Sequence, residues 1–252
     1  MTRKIDIKIY GIHERDFLID KLKQSLDLQD DDIVYDDRNL EKKSCLYTLG
    51  KACTAPIPDD VTHRLAMPDD MIVCNDFKVI LNKIINAHPD AIVSLWAYQY
   101  DRYNKWYKPS PVPYYRDNGV TCGNGVIFPV QYIQPLFDWI KSEHPNDYDT
   151  YRSEYGLIEG IKVLAMPLII TIPCPVQHIG DDYGTHLPYE VRENRKSVYF
   201  REDCLTGVDW DSKEILTLTE RTRYCNLNKT YIKIPFEGLP EENKAFNPRS
   251  YL

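Results

Sequence analysis

Ile5, Ile7 and Ile9 alternate with Asp6, Lys8 and Tyr10, the period of two that a strand requires. Phe17, Leu18, Leu22 and Leu26 then recur at helical spacing, so the chain opens on a β-α unit. Residues 31–35 read as a second short strand running into Asp36-Asp37-Arg38-Asn39, residues 40–55 as a helix with a ragged end, and residues 56–60 as a turn. Next, an apolar run enters Thr62-His63-Arg64-Leu65-Ala66-Met67-Pro68-Asp69-Asp70-Met71-Ile72-Val73, two adjacent carboxylates interrupt it, and a second apolar run leaves. Residues 77–87 are amphipathic and stop at His88-Pro89-Asp90, and residues 91–95 form a further buried strand. This alternation predicts an α/β fold, a three-layer α/β/α sandwich with a mostly parallel central sheet.

The second half of the chain is less regular. Residues 96–115 turn to Tyr, Trp, Pro, Lys and Arg without a clean period and read as a loop. Its rings, interleaved with Arg102, Lys105, Lys108 and Arg116, suit stacking on sugars or bases, or packing on the protein itself. Gly123, Asn124 and Gly125 lead into an apolar strand, where glycine lets a ligand approach the backbone. A helix over 132–140 is followed by a polar stretch with Asp147 and Asp149, and Glu154 opens another helix. The strand at 167–172 ends at Pro173-Cys174-Pro175-Val176-Gln177-His178-Ile179-Gly180. Beyond it the chain is more polar, with strand-like pieces at 197–200 and 230–235. Residues 1–190 are therefore expected to be one catalytic-sized domain, and residues 191–252 a C-terminal extension packed on it rather than an independent domain.

Composition narrows the function classes. A length of 252 residues supports a full core, and a net charge of -7 argues against a bulk basic surface that grips nucleic acid. Seven scattered cysteines with no CxxC spacing fit reduced thiols in a reducing, cytoplasmic compartment. The alternating N-terminus is not expected to be a signal peptide, and no run approaches the ~20 apolar residues of a membrane span. The six His fall at no recognised zinc spacing, and no Gly-Lys-Ser/Thr follows the glycines, so a zinc hydrolase and a P-loop are both disfavoured.

The candidate chemistry centres on Asp69-Asp70. Two neighbouring carboxylates at the exit of a buried strand repel, and their charge calls for a cation, a base or a backbone dipole. A solvated turn between strands fits the same composition. Asp36 and Asp37, at the end of a strand in an open α/β sheet, are candidate ligand contacts or a polar loop.

Three features in order, Pro-Asp-Asp between apolar runs, the Gly-Asn-Gly strand entry, and Ile-Pro-Cys-Pro-Val-Gln-His-Ile-Gly, resemble a nucleotide-sugar-dependent glycosyltransferase of the GT-A fold. The pattern is similar to small transferases encoded by bacteriophages and other large viruses, in which a "gTHrLvLqDDv" segment precedes a "tvPslVqHig" segment. It spans most of residues 5–180, with Pro68 in place of the first acid of the usual DxD triplet.

The resemblance implies transfer of a sugar from a nucleotide-diphosphate sugar to a hydroxyl. The acceptor would be a hydroxymethylated base in viral DNA, or otherwise a glycan or protein. It makes Asp70 and His178 ligands of Mn²⁺ or Mg²⁺, with Asp69 beside them. Tyr10, His13, Arg15 and Asp37 fall where the family holds base and ribose, and Gly123, Asn124 and Gly125 where the backbone lies against the donor sugar. Glu154 matches an acid that would deprotonate the acceptor, with Asp147 and Asp149 as competitors. The alternative from another class is a catalytically inactive, transferase-like binding or assembly module.

Overall fold

The computed structural model describes residues 3–38, 45–97, 110–116, 124–145, 154–180, 197, 200–217, 220–225 and 230–235. In chain order the elements are β1 (Ile5–Gly11), α1 (Asp16–Leu26), β2 (Ile33–Tyr35), α2 (Cys45–Thr54), β3 (His63–Pro68), β4 (Met71–Val73) and α3 (Phe77–Ala87). They continue with β5 (Ile92–Ser94), β6 (Tyr114–Arg116), β7 (Val126–Pro129), α4 (Val130–Glu143), α5 (Glu154–Val163), β8 (Leu168–Thr171) and β9 (Val176–His178). Last come β10 (Leu216–Thr217), β11 (Glu220–Cys225) and β12 (Thr230–Pro235).

The central sheet has eight strands in the order β10-β6-β8-β5-β7-β3-β1-β2. β1 is parallel to β2 and β3, and β5 to β8; β7 lies between β3 and β5, antiparallel to both. Consequently β1, β2, β3, β5 and β8 all run one way, and β6, β7 and β10 run the other. The expected mostly parallel sheet is present, with a reversed strand inside it. β11 and β12 form a separate antiparallel pair.

Helices cover both faces, as the strand patterns require. On one face Leu22 and Leu26 of α1 and Phe77, Ile80, Leu81, Ile84 and Ile85 of α3 pack on Ile7, Ile9, Leu65, Met67, Val93 and Ile127. On the other, α2, α4 and α5 pack on Tyr10, Ala66, Ile92, Val126 and Phe128. Alternate residues of β1, β3, β5 and β7 thus feed opposite cores, the three-layer arrangement. Cys204 and Trp210 join the first core, and Tyr114 Oη donates to the Trp210 carbonyl at 2.6 Å.

One charged side chain lies wholly inside. Arg64 of β3 is fully buried and donates to Asp6 Oδ2 and to the carbonyls of Ala52, Cys53, Ala55 and Pro56. These carbonyls lie in the last turn of α2 and in the two residues after it, where a helix leaves acceptors unpaired and favours a cation. Arg64 therefore fastens the end of α2 to the sheet.

Several expectations need correction. Asp31 and Asp32 lie in the 3-10 turn Asp30–Asp32 rather than in the strand, which starts at Ile33, because Gln29 and Asp32 exchange side-chain and backbone hydrogen bonds as a capping box. Tyr114–Arg116 is a strand, not loop, paired with β8, and Trp96, Tyr114 and Tyr115 are buried. Those three rings are core and cannot stack on a base from solvent. Arg102, Lys105 and Lys108, and residues 40–44 of the expected helix, lie outside the described residues. Among the described residues Cys45, Cys53, Cys74, Cys174 and Cys204 form no disulfide, and no helix is long and apolar enough to cross a membrane.

Candidate functional site

Because β1, β2, β3, β5 and β8 are co-directional, their carboxyl ends share one edge of the sheet, the usual ligand crevice of open α/β folds. Three devices gather charge there. β1 ends at Gly11 and turns through the short 3-10 segment His13–Arg15, which carries Arg15 to the strand ends. β3 ends at Pro68 and presents Asp69 and Asp70. β4 then pairs antiparallel with β9, setting Met71 opposite His178, and the Ile179 N–H donates to the Asp70 carbonyl at 2.8 Å.

The result is a compact ionic cluster. One nitrogen, Arg15 Nη1, lies 2.9 Å from Asp69 Oδ1 and 2.7 Å from Asp70 Oδ2, and His178 Nε2 lies 3.4 Å from the same Asp70 oxygen. Asp69 is the inward member: its N–H donates to the Tyr10 carbonyl at 2.9 Å, and its Oδ2 accepts from the Ile12 N–H at 3.1 Å. Asp70 is the outward one, with 13 % of its side chain exposed against 2 % for Asp69.

Two glycines make room. A Cβ on Gly11 would fall inside the Asp69 carboxyl, and one on Gly180 would strike Asp70 Oδ2 and the His178 ring. Both positions require glycine for close approach rather than for an unusual backbone angle.

The two carboxyls are driven apart electrostatically. Burial and the Asp70 charge push Asp69 up to about 7, against the pull of Arg15 and the Ile12 N–H. Burial opposes ionisation of Asp70 as well, but His178 and Arg15 outweigh it and hold Asp70 well below the usual carboxylate range. Asp70 is thus the permanent anion of the pair.

The remaining expected site residues are placed as follows. Tyr10 is buried in the core that faces α2. His13 is exposed and stacks on Tyr35, with ring centroids 3.9 Å apart and planes within 16°. Asp37 pairs with Lys51 at 3.2 Å, which lowers its pKa, while Asp36 is buried and paired with Arg38 at 2.8 Å. Gly125 enters β7 at a positive φ of 77°, and the space beside it is bounded by Leu95, Val176 and Met67. Asn124 precedes it, partly exposed. Glu154 opens α5; its side chain, together with Gly123, Asp147 and Asp149, lies outside the described residues.

Tyr35 and Lys51 were not singled out from the sequence. Tyr35 is the last residue of a parallel strand, immediately before Asp36-Asp37, and that position was the available signal. Burial and the Asp16 carboxylate push its phenol up to about 12, so it stays a donor, 2.9 Å from Asp16 Oδ1. Lys51 Nζ donates to the Tyr35 carbonyl at 3.1 Å, leaving a cation beside the strand end.

Among the described residues no group of three or more His, Cys, Asp and Glu side chains is placed to hold a metal ion. What converges is one carboxylate and one imidazole, with His178 Nδ1 buried and lacking a hydrogen-bond partner among the described residues. Oxygen and imidazole donors suit Mn²⁺ or Mg²⁺, and one or two protein donors suffice where substrate phosphates complete the shell.

No family model and no curated protein matches the chain. Among solved structures, a glycosyltransferase described as involved in the glycosylation of the major capsid of PBCV-1 is similar over 74 % of this chain and 96 % of that chain. The identity is 11 % and the TM-score 0.35, so the functional reading rests on the geometry of the site itself.

Proposed function

We propose that the chain is a metal-dependent glycosyltransferase with a GT-A-like fold, taking its sugar from a nucleotide-diphosphate donor. The observation that carries the proposal is the meeting of Asp70 and His178, distant in sequence, beside Arg15 at the carboxyl edge of the parallel strands. The exposed His13 ring, stacked on the half-buried Tyr35, lies at the same edge, where its outer face would offer a nucleobase an aromatic surface.

Asp70 and His178 would hold Mn²⁺ or Mg²⁺, and the bound cation would stabilise the charge that develops on the leaving diphosphate. Asp69 fixes the turn through the Ile12 N–H and so sets where Asp70 points. Asp37 is the proposed ribose contact, and Lys51, paired with it at 3.2 Å, would meet a phosphate. Glu154 is the proposed base for the acceptor hydroxyl, with Asp147 and Asp149 as alternatives. With Trp96, Tyr114 and Tyr115 in the core, the ring-stacking argument for a DNA acceptor loses three of its members. The acceptor is therefore proposed only as a hydroxyl.

The test is a thermal-shift screen of nucleotide sugars with and without Mn²⁺, on the wild type and on Asp70→Asn. A donor that binds the folded form raises Tm in proportion to ln(1 + [L]/Kd). One nucleotide sugar should raise Tm only with Mn²⁺ present, and Asp70→Asn should abolish that rise while remaining folded. A Mn²⁺-dependent rise of the same size in Asp70→Asn refutes the assignment. No response to any nucleotide sugar favours the inactive binding module.

A further inference from the structure

Arg15 was expected to contact the nucleotide, yet its guanidinium faces inward. A single nitrogen, Nη1, bridges Asp69 Oδ1 and Asp70 Oδ2 at 2.9 and 2.7 Å, so one positive group lies between two carboxylates, as a bound cation would. It also takes the Asp70 oxygen that His178 approaches. The guanidinium is not fully satisfied there: Arg15 Nε is buried and has no hydrogen-bond partner among the described residues. An arginine held for structure alone usually spends its planar fork on a bidentate carboxylate, as Arg38 does on Asp36.

We infer that Arg15 is the resident counter-ion of this site and competes with the divalent cation for Asp70. The inference rests on the metal-dependent reading above. Cation binding through Asp70 and His178 is opposed by Nη1 on Asp70 Oδ2, because a divalent ion and a guanidinium on one oxygen repel each other at contact distance, and the repulsion is relieved when Nη1 leaves. Displaced, the guanidinium would turn its unsatisfied Nε and the rest of its fork toward an oxyanion beside the cation. It sits on a short turn rather than inside a helix, so the movement needs only side-chain rotation. Arg15 is a positioning residue: its bridging charge offsets the carboxylate charge of the pair while the cation is absent.

Binding of Mn²⁺ alone, followed by the loss of the free-ion paramagnetic resonance signal, tests this on the full chain. Arg15→Gln should bind Mn²⁺ at least tenfold more tightly than the wild type, and adding Asp70→Asn should remove the binding. If Arg15→Gln fails to fold with two unbalanced carboxylates, the comparison moves to Asp69→Asn against Asp69→Asn/Arg15→Gln, which keeps one charge fewer in the cluster. The same tenfold gain is expected there. A wild type that binds Mn²⁺ with an arginine variant that binds it no more tightly overturns the inference and leaves the metal site standing. If neither wild type nor variant binds Mn²⁺ at millimolar concentration, both the inference and the metal assignment fall.

Discussion

Gly180→Ala is the sharpest perturbation of the site, because it adds one methyl group and removes no charge. That Cβ would lie 2.8 Å from both His178 Cε1 and His178 Nε2, and closer still to Asp70 Oδ2. Ordinary carbon contacts sit at about 3.5–4.0 Å, so the ring must retreat by roughly 0.7 Å or more. Neither neighbour can yield freely. His178 is buried in the register of β4 and β9, and the Asp70 main chain is pinned by the Ile179 N–H. Overpacking of this kind costs about 1–3 kcal/mol. A misplacement near 1 Å at a reacting site can cost about 10²-fold in rate.

The assay has two readouts, the Tm without ligand and the rise in Tm caused by Mn²⁺ with the donor found in the screen. Gly180→Ala should lower the first by several degrees and nearly abolish the second. Gly207→Ala is the control: its φ of 75° makes a side chain strained, but nothing lies within 4 Å of the added Cβ. It should lose stability and keep the Mn²⁺ response. A Gly180→Ala protein whose Mn²⁺ response equals that of the wild type refutes the claim that Asp70 and His178 act together against a glycine-sized gap.

Two further predictions concern stability. Arg64→Met should destabilise the fold by about 3–5 kcal/mol, because it leaves Asp6 and the last carbonyls of α2 without their buried partner; a urea midpoint shift of under ~1 kcal/mol equivalent would show that the fastening is dispensable. For Asp69, raised to about 7, the native state binds its proton more tightly than the unfolded chain does. Its contribution is therefore fully present below about pH 4 and is lost as pH rises through about 7. Asp69→Asn stays neutral throughout, so its stability relative to wild type should improve between about pH 4 and pH 7, by at most ~4 kcal/mol. Urea midpoints across that range measure it, and a difference independent of pH contradicts the split between the two carboxyls. Asp70, held low, contributes in the opposite window, losing its stabilisation only as pH falls below about 4.

How much of this was legible depended on whether the signal was local. The helix at Phe77–Ala87 coincides with the expected span because its apolar spacing and its His88-Pro89 stop are both written in consecutive residues. The strand Tyr114–Arg116 was missed because three aromatic and charged residues carry no alternation, and their partner β8 lies far along the chain. The reversal of β7 was hidden for a similar reason: strand direction is set by connection and pairing, and its apolar run reads the same either way. In the site, the approach of Asp70 to His178 followed from a resemblance of motifs. The role of Arg15 did not, since which carboxylate an arginine finds is decided by the turn that carries it.

The division of labour between the two aspartates explains why adjacent carboxylates are buried at all. An ion pair inside a protein gains little stability over apolar side chains of the same volume, so the need for stability does not account for Asp69 and Asp70. Their surroundings instead differ in a consistent way. Beyond the Arg15 contact that it shares with Asp70, Asp69 is enclosed by main chain: the Gly11 gap, the Ile12 N–H that its carboxyl accepts from, and the Tyr10 carbonyl that its own N–H reaches. The Asp70 carboxyl is instead met by two side chains, Arg15 on the short turn after β1 and the buried His178. The inward carboxyl is thus wired to the sheet through main chain, and the outward one is balanced by side chains alone. The proposed exchange of Arg15 for a divalent cation needs that asymmetry: a member tied to main chain to hold the backbone in place, and a negative oxygen whose side-chain partner is the one to leave.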